Sequence, residues 1–198
     1  MNGVIAVLRG IAPGEVLQVG HALEACGVRC IEVPLNSPQA VASIESLARE
    51  FGGRLQIGAG TVMTAAQVDR VVDAGAQLVL SPHFDAGVVR RTKTRGVYSM
   101  PGVATPTEGF AALLAGADAL KLFPSELLGT AALKAWAAVF PAGTPMFSVG
   151  GVNVDNIGSF KAAGASGVGI GSGLYAPGIS MDELARRAKA LIARWSAA

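Results

Sequence analysis

The sequence predicts an α/β protein, a (β/α)8 TIM barrel that forms a single compact domain over residues 1–198 with short loops. Three observations support this fold. Eight short apolar runs alternate with eight amphipathic stretches, and the runs start 20 to 27 residues apart. No linker or low-complexity segment interrupts the alternation. Strands that alternate with helices form parallel sheets, and eight units are more than the alternative, a doubly wound open sheet, usually needs.

The apolar runs are predicted to be buried strands of a parallel sheet, because each is short and is followed by a turn or cap signal. In chain order, the predicted strands span 4–8, 28–33, 55–59, 77–80, 97–100, 119–123, 145–149 and 167–170. Only Met1, Asn2 and Gly3 precede this first run, so we expect either a truncated start or a barrel whose bottom no helix covers.

The amphipathic stretches are predicted to be helices. Several begin with a proline or with a Ser, Thr or Asp that can cap a helix, and several end near a glycine. The predicted helices span 13–26, 38–51, 64–74, 85–95, 106–115, 130–139, 155–163 and 181–195. The chain is shorter than the usual ~250 residues of this fold, so the connecting loops must be short.

Composition excludes several classes of protein. Hydrophobic residues make up 51% of the chain and charged residues 15%, which is unlike a disordered protein. No apolar run approaches the roughly 20 residues of a membrane helix. The net charge of +2, without a basic block, argues against a nucleic-acid partner. We also expect the protein to be cytoplasmic. Two cysteines, Cys26 and Cys30, and two histidines show no metal-ligand spacing, so no metal site is expected.

Lys121 is the most informative residue, because it lies within the apolar run 119–123. Chemistry in such barrels takes place at the carboxyl ends of the strands, and this run is the sixth strand. Burial disfavours the ammonium form of a lysine, and the neutral amine can form a Schiff base with a carbonyl substrate. The alternative is a lysine whose ammonium group reaches solvent or pairs with a core carboxylate.

Glu32 lies inside the apolar second strand, where a charged residue is expected to point into the barrel. One interpretation makes it a structural partner of Arg9 or Lys121. The other makes it a general base whose pKa is raised by burial. The two interpretations are compatible, because a carboxylate beside a lysine can serve both purposes.

Glycine motifs at 150–151 and 171–173 follow the seventh and eighth strands. Those are the loops in which barrels commonly hold a phosphate, since glycines allow backbone N–H groups to approach an anion closely. We infer a phosphorylated small-molecule substrate. Together with the buried lysine and carboxylate, this favours a class I aldolase, in which the imine accepts electrons and the carboxylate moves protons.

Five motifs follow strand ends or lie on strands: Ile-Ala-Val-Leu-Arg-Gly at 5–10, Ile-Glu-Val-Pro-Leu-Asn-Ser-Pro at 31–38, Gly-Ala-Gly-Thr-Val at 58–62, Leu-Lys-Leu-Phe-Pro at 120–124 and Val-Gly-Gly-Val at 149–152. Together they resemble one family, the 2-keto-3-deoxy-6-phosphosugar-acid aldolases, known as the KDPG and KDPGal aldolases. The resemblance covers essentially the whole chain. It implies a small (β/α)8 barrel and a homotrimer.

The resemblance also implies a reaction. Lys121 would form an imine with the C2 ketone of the phosphorylated sugar acid, and Glu32 would move protons as the C3–C4 bond breaks to give pyruvate and D-glyceraldehyde 3-phosphate. Arg9 and Thr61 would hold the pyruvyl end. Backbone N–H groups would hold the phosphate at Gly150, Gly151, Gly171 and Ser172. No metal or organic cofactor is needed, because the imine takes the place of a Lewis acid.

Two positions bear on which C4 epimer the enzyme prefers. Gluconate-type members of the family usually carry an arginine where this chain has Asn36 and a threonine where it has Val149. Both residues resemble the galactonate type, so 2-dehydro-3-deoxy-6-phosphogalactonate is the expected substrate and its gluconate epimer the alternative. A phosphate-binding isomerase or transferase, or a sugar-phosphate sensor, is a more remote alternative, because neither would give Lys121 a role in an imine.

Overall fold

The computed structural model describes residues 3–198. Over these residues the chain forms an α/β fold in which nine parallel strands build a nearly closed barrel and eight helices pack against it. Met1 and Asn2, and with them the expectation about the start of the chain, lie outside the described residues.

The strands are short, and neighbouring strands pair in parallel. They are β1 (Gly3–Val7), β2 (Cys30–Pro34), β3 (Gln56–Gly60), β4 (Leu78–Leu80), β5 (Tyr98–Met100), β6 (Gly102–Val103), β7 (Leu120–Leu122), β8 (Met146–Val149) and β9 (Gly167–Ile170). Their order in the sheet is β5-β4-β3-β2-β1-β9-β8-β7-β6. The first and last strands of the chain are therefore neighbours, as in a barrel.

The two edge strands of the sheet, β5 and β6, are separated along the chain by Pro101 alone. The two edges therefore lie close together, and the barrel is nearly closed. The N–H of Gly102 donates to the carbonyl oxygen of Ser81 at 3.1 Å, and the N–H of Lys121 donates to that of Pro101 at 2.9 Å. The prediction of eight strands, with a single strand at 97–100, therefore differs from the structure. The pattern did not reveal β6 because its two residues follow a proline, which has no N–H for a sheet ladder.

The helices are α1 (Val16–Ala25), α2 (Ala40–Phe51), α3 (Ala65–Asp73), α4 (Ala86–Thr94), α5 (Pro106–Leu114), α6 (Ser125–Ala137), α7 (Ile157–Ala162) and α8 (Met181–Ala197). In four of them a side chain at the N-cap accepts a hydrogen bond from a backbone N–H three residues later. These caps are Thr64, Asp85, Thr105 and Ser180. No helix within residues 3–198 has both the length and the apolar surface to cross a membrane.

The helix α6 differs most from its prediction, because it begins at Ser125 and not at residue 130. Its first turn ends at Gly129, where φ is +67° and ψ is 178°, so the helix is broken there. The positive φ lies in the left-handed region that glycine adopts readily. The sequence pattern therefore identified only the second part of α6. The first helix also starts later than predicted, at Val16.

Side chains that point into the barrel form an apolar layer below the carboxyl ends of the strands. The layer consists of Ile5, Cys30, Leu78, Leu80, Met100, Ala119 and Phe147. A larger apolar cluster lies between the strands and the helices. Side chains alternate along a strand, so Glu32 and Lys121, each two positions beyond a member of the layer, point into the barrel above it.

Candidate active site

A cavity of about 680 Å³ lies at the carboxyl ends of the strands. Seven of the predicted site residues line it: Arg9, Thr61, Val149, Gly150, Gly151, Gly171 and Ser172. The other three are not part of the lining, but each contacts a residue that is: Glu32 is paired with Val7 between β1 and β2, Asn36 is bonded to Arg9, and Lys121 lies against Phe123. The structure therefore brings together segments from β1, β3, β8 and β9 that are far apart in the sequence.

Lys121 lies in the middle of β7 and is buried, with only 6% of its surface exposed. Its Nζ atom is 4.7 Å from the centroid of the Phe123 ring, and Phe123 lines the cavity. Burial lowers the pKa of Lys121; the Glu32 carboxylate opposes this shift and the Arg9 guanidinium adds to it. The lowered pKa increases the fraction of neutral amine, which is the nucleophilic form.

Glu32 is also buried, with 2% of its surface exposed, and its Oε2 atom has no hydrogen-bond partner. Burial raises the pKa of Glu32 to about 7, against the opposing effects of Lys121 and Arg9. No salt bridge joins Glu32 to either cation in the part of the chain that the structure describes. A carboxyl group with a pKa near neutrality can both accept and donate a proton at pH 7.

The end of β3 leaves space for the Glu32 carboxylate. A Cβ atom at Gly60 would overlap the carboxylate oxygens, so only a glycine fits here without moving Glu32. The next residue, Thr61, lines the cavity with a φ of +56°. A β-branched residue rarely adopts this left-handed conformation, and such strain is found most often at functional sites.

Arg9 and Asn36 are joined by a hydrogen bond, in which Arg9 Nη1 donates to Asn36 Oδ1 at 2.8 Å. A second bond lies beside it, since the N–H of Gly10 donates to Ser37 Oγ at 2.9 Å. These two contacts connect the loops that follow β1 and β2. Asn36 does not line the cavity itself, but it contacts Arg9, which does.

The loop after β8 presents its backbone to the cavity. Gly150 and Gly151 have φ values of +97° and +71°, which favour glycine. Space is also limited, because a Cβ on Gly150 would lie a close 3.3 Å from Pro124 Cα and a Cβ on Gly151 would overlap Glu126 Cβ at 2.5 Å. The loop is therefore packed against the first turn of α6.

Several residues that line the cavity were missed from the sequence. Phe123 lies two positions beyond Lys121, and Val7 two positions before Arg9, so strand alternation could have indicated both. Asn153 also lines the cavity, but its position depends on the path of the loop after β8, for which the sequence carries no signal. Within residues 3–198, no group of three or more His, Cys, Asp or Glu side chains could hold a metal ion.

A buried lysine and a buried carboxylate, placed beside an open cavity in a parallel barrel, are characteristic of an aldolase that acts through an amine. The comparison with protein families agrees, because the family described as "Aldolase: KDPG and KHG aldolase" matches residues 1–189. The chain belongs to the KDPG and KHG aldolase family.

Individual proteins support the same assignment. The chain is 44% identical over 190 residues to the 2-dehydro-3-deoxy-6-phosphogalactonate aldolase of Escherichia coli, covering 96% of this chain and 92% of that protein. A solved structure described as native KDPGal superposes with a TM-score of 0.96 at 42% identity, covering 98% of this chain and 94% of the other. KDPG aldolase from Legionella pneumophila, solved with pyruvate captured as a covalent carbinolamine, gives a TM-score of 0.87 at 29% identity, covering 96% and 94%.

Proposed function

We propose that this protein is a class I aldolase that cleaves 2-dehydro-3-deoxy-6-phosphogalactonate to pyruvate and D-glyceraldehyde 3-phosphate, a step of galactonate catabolism. The observation that carries the proposal is the buried Lys121, whose Nζ lies 4.7 Å from the centroid of the Phe123 ring at the cavity, with the unpartnered Oε2 atom of Glu32 in the same barrel interior. The substrate is that of the E. coli relative.

In the proposed reaction, the neutral amine of Lys121 attacks the C2 ketone, and loss of water gives a protonated imine. The C3–C4 bond then breaks, and its electron pair moves into the imine to form an enamine while the C4 hydroxyl loses its proton. Protonation of the enamine at C3 and hydrolysis of the imine release pyruvate and restore the lysine. The imine serves as the electron sink, so the proposed reaction needs no metal or organic cofactor.

Glu32 is the proposed proton carrier. It accepts the proton of the C4 hydroxyl, directly or through a water molecule, and returns a proton to C3 of the enamine. A pKa of about 7 suits both directions, because a group that cycles between base and acid works best when its pKa is near the working pH. Its unpartnered Oε2 leaves one oxygen free for this exchange.

The rest of the cavity is proposed to hold the two ends of the substrate. Arg9, oriented by Asn36, and Thr61 hold the pyruvyl carboxylate. The phosphate is held by the loops after β8 and β9, through backbone N–H groups of Gly150, Gly151, Gly171 and Ser172 and through the Ser172 hydroxyl. The two anionic groups of the substrate thus lie on opposite sides of the reacting carbons.

Borohydride reduction in the presence of pyruvate tests the proposed function. We expect a covalent adduct on Lys121, found by mass spectrometry. In a separate kinetic assay, we expect cleavage of both C4 epimers, with a higher kcat/KM for the galactonate type. A phosphate-binding isomerase or transferase would give no adduct. Labelling of another lysine would contradict the assignment of the nucleophile.

Replacing Gly60 with alanine is expected to lower kcat for cleavage, because the new methyl group takes the space of the Glu32 carboxylate. The loss should approach that of removing an acid–base group, ~10²–10⁴-fold. Gly14→Ala is the matched control, since no heavy atom beyond its two chain neighbours lies within 4 Å of its Cβ position. Equal activities of the two variants would show that Glu32 does not need its observed position.

Val149→Thr is expected to shift the kcat/KM ratio toward the gluconate epimer. Valine and threonine have nearly the same shape, so the change adds a hydroxyl to the cavity without repacking it. One new hydrogen bond could contribute ~1 kcal/mol, roughly fivefold in the ratio. The control is Val154→Thr, at an exposed position in the following loop. An unchanged ratio in Val149→Thr would show that position 149 does not govern the stereochemistry.

We also infer that β5 and β6 serve as one barrel strand, which with the eight helices makes a single (β/α)8 domain over residues 1–198.

A homotrimer in the cytoplasm is the proposed state of the protein. The large apolar side chains of Leu114 and Leu127 are 91% and 82% exposed, and an assembly would cover such surfaces. Light scattering would measure three times the 20.0 kDa of one chain.

A further inference from the structure

Ser125, the first residue of α6, is buried without any part in the reaction proposed above. It is 1% exposed, and its hydroxyl makes two hydrogen bonds. Its Oγ donates to the carbonyl oxygen of Leu122 at 2.8 Å and accepts from the N–H of Val149 at 3.0 Å. One hydroxyl therefore connects the carboxyl end of β7 to the carboxyl end of β8.

The position of this bridge in the sheet explains its effect. The ladder between β7 and β8 pairs Lys121 with Phe147 and ends where Leu122 pairs with Ser148. At this end of the ladder, the Ser125 hydroxyl lies between the carbonyl oxygen of Leu122 and the N–H of Val149. It thus satisfies a buried N–H that would otherwise have no partner, and it sets the spacing of the two strand ends.

The first turn of α6 also sets the path of the glycine loop. A Cβ on Gly150 would lie 3.4 Å from the backbone nitrogen of Ser125, and Glu126 packs against Gly151. Ser125 therefore holds Val149, the last residue of β8, and the same turn encloses the next two residues, Gly150 and Gly151. A change at Ser125 would be transmitted directly to the backbone N–H groups of this loop.

We propose that Ser125 is a positioning residue that fixes the segment 149–151, the end of β8 and its glycine loop. It thereby holds the phosphate-binding backbone at a set distance from β7, the strand that carries Lys121. The inference rests on the proposed function for the identity of the ligand. The inference goes beyond the proposed function because it assigns control over the affinity for phosphate to a buried serine outside the cavity lining.

The test compares two buried serines. Ser125→Ala removes the bridge, whereas Ser148→Ala removes a hydroxyl that is equally buried on β8 but has no hydrogen-bond partner. The probe is inorganic phosphate, whose dissociation constant is measured by thermal shift without any turnover. We expect roughly 10-fold weaker binding in Ser125→Ala, because the N–H of Val149 loses its buried hydrogen bond, and a change within about twofold in Ser148→Ala.

A second measurement separates positioning from a general loss of structure. Borohydride trapping with pyruvate, which carries no phosphate, should be within about twofold of the wild type in Ser125→Ala, while KM for the phosphorylated substrate should rise roughly 10-fold. Unchanged phosphate affinity, an equal loss in both reactions, or failure of Ser125→Ala to fold would overturn the proposal. If the wild type binds phosphate but traps no pyruvate, the proposed aldolase function fails, and the phosphate measurement still decides the role of Ser125.

Discussion

Lys121→Arg is expected to abolish aldol cleavage and to prevent the covalent adduct with pyruvate. Arginine keeps the positive charge and most of the side-chain length, but its guanidinium stays protonated and cannot form an imine. Within residues 3–198, no other lysine lines the cavity, and two of the others are held elsewhere: the Lys93 amine by Asp118 at 2.7 Å and the Lys161 amine by the carbonyl oxygen of Trp195. The measurements are a coupled assay for pyruvate release and intact-protein mass after borohydride reduction.

Lys134→Arg is the control for this experiment, since Lys134 is exposed on α6 and the substitution is chemically the same. The control should keep wild-type turnover and the wild-type adduct. The melting temperature of Lys121→Arg must also be measured, because a larger head group in a site that is 6% exposed can cost about 1–3 kcal/mol of stability through overpacking. Turnover in a folded Lys121→Arg variant would contradict the imine mechanism.

Glu32→Gln is expected to leave imine formation detectable and to slow the proton-transfer steps by ~10²–10⁴-fold. Glutamine preserves the shape and hydrogen bonding of the side chain, but it cannot take up a proton. Exchange of the pyruvate methyl protons with deuterated water reports this step directly, because it requires only the imine and the base. Glu45→Gln, an exposed position on α2, is the control and should exchange at the wild-type rate.

The pH dependence of the exchange adds a signature that a structural role would not produce. Since burial raises the pKa of Glu32 to about 7, its basic form is present above that pH and is lost as the pH falls through it. The wild-type exchange rate should therefore fall below about pH 7, and Glu32→Gln should lack this limb of the profile. An identical profile in both proteins would mean that another group carries the proton.

The predictions that placed charged residues within apolar runs agree with the structure. A charged residue inside an apolar run is visible in the sequence, and both Lys121 and Glu32 are buried on strands of the barrel. The two glycine motifs at adjacent strand ends also line one cavity. These features were accessible because strand periodicity and the rule that sites lie at carboxyl ends of barrel strands require no coordinates.

The features that the sequence did not reveal depend on segments that meet only after the barrel forms. The strand β6, which pairs with β7, follows a proline, a residue that normally ends a strand. The first turn of α6 ends at Gly129 and has no helical sequence pattern of its own. The space that Gly60 leaves for Glu32 is likewise a contact between two strands. Local propensity carries no information about such contacts.

The sequence by itself thus determined the class of fold, the strands that carry the lysine and the glutamate, and the resemblance to an aldolase family, because each rests on residue type and spacing along the chain. Only the tertiary structure decided how these residues act on one another. Arg9 meets Asn36 across 27 residues and Ser125 meets Val149 across 24. The burial that shifts the pKa of Glu32 and Lys121 also arises only when the barrel excludes water from its interior.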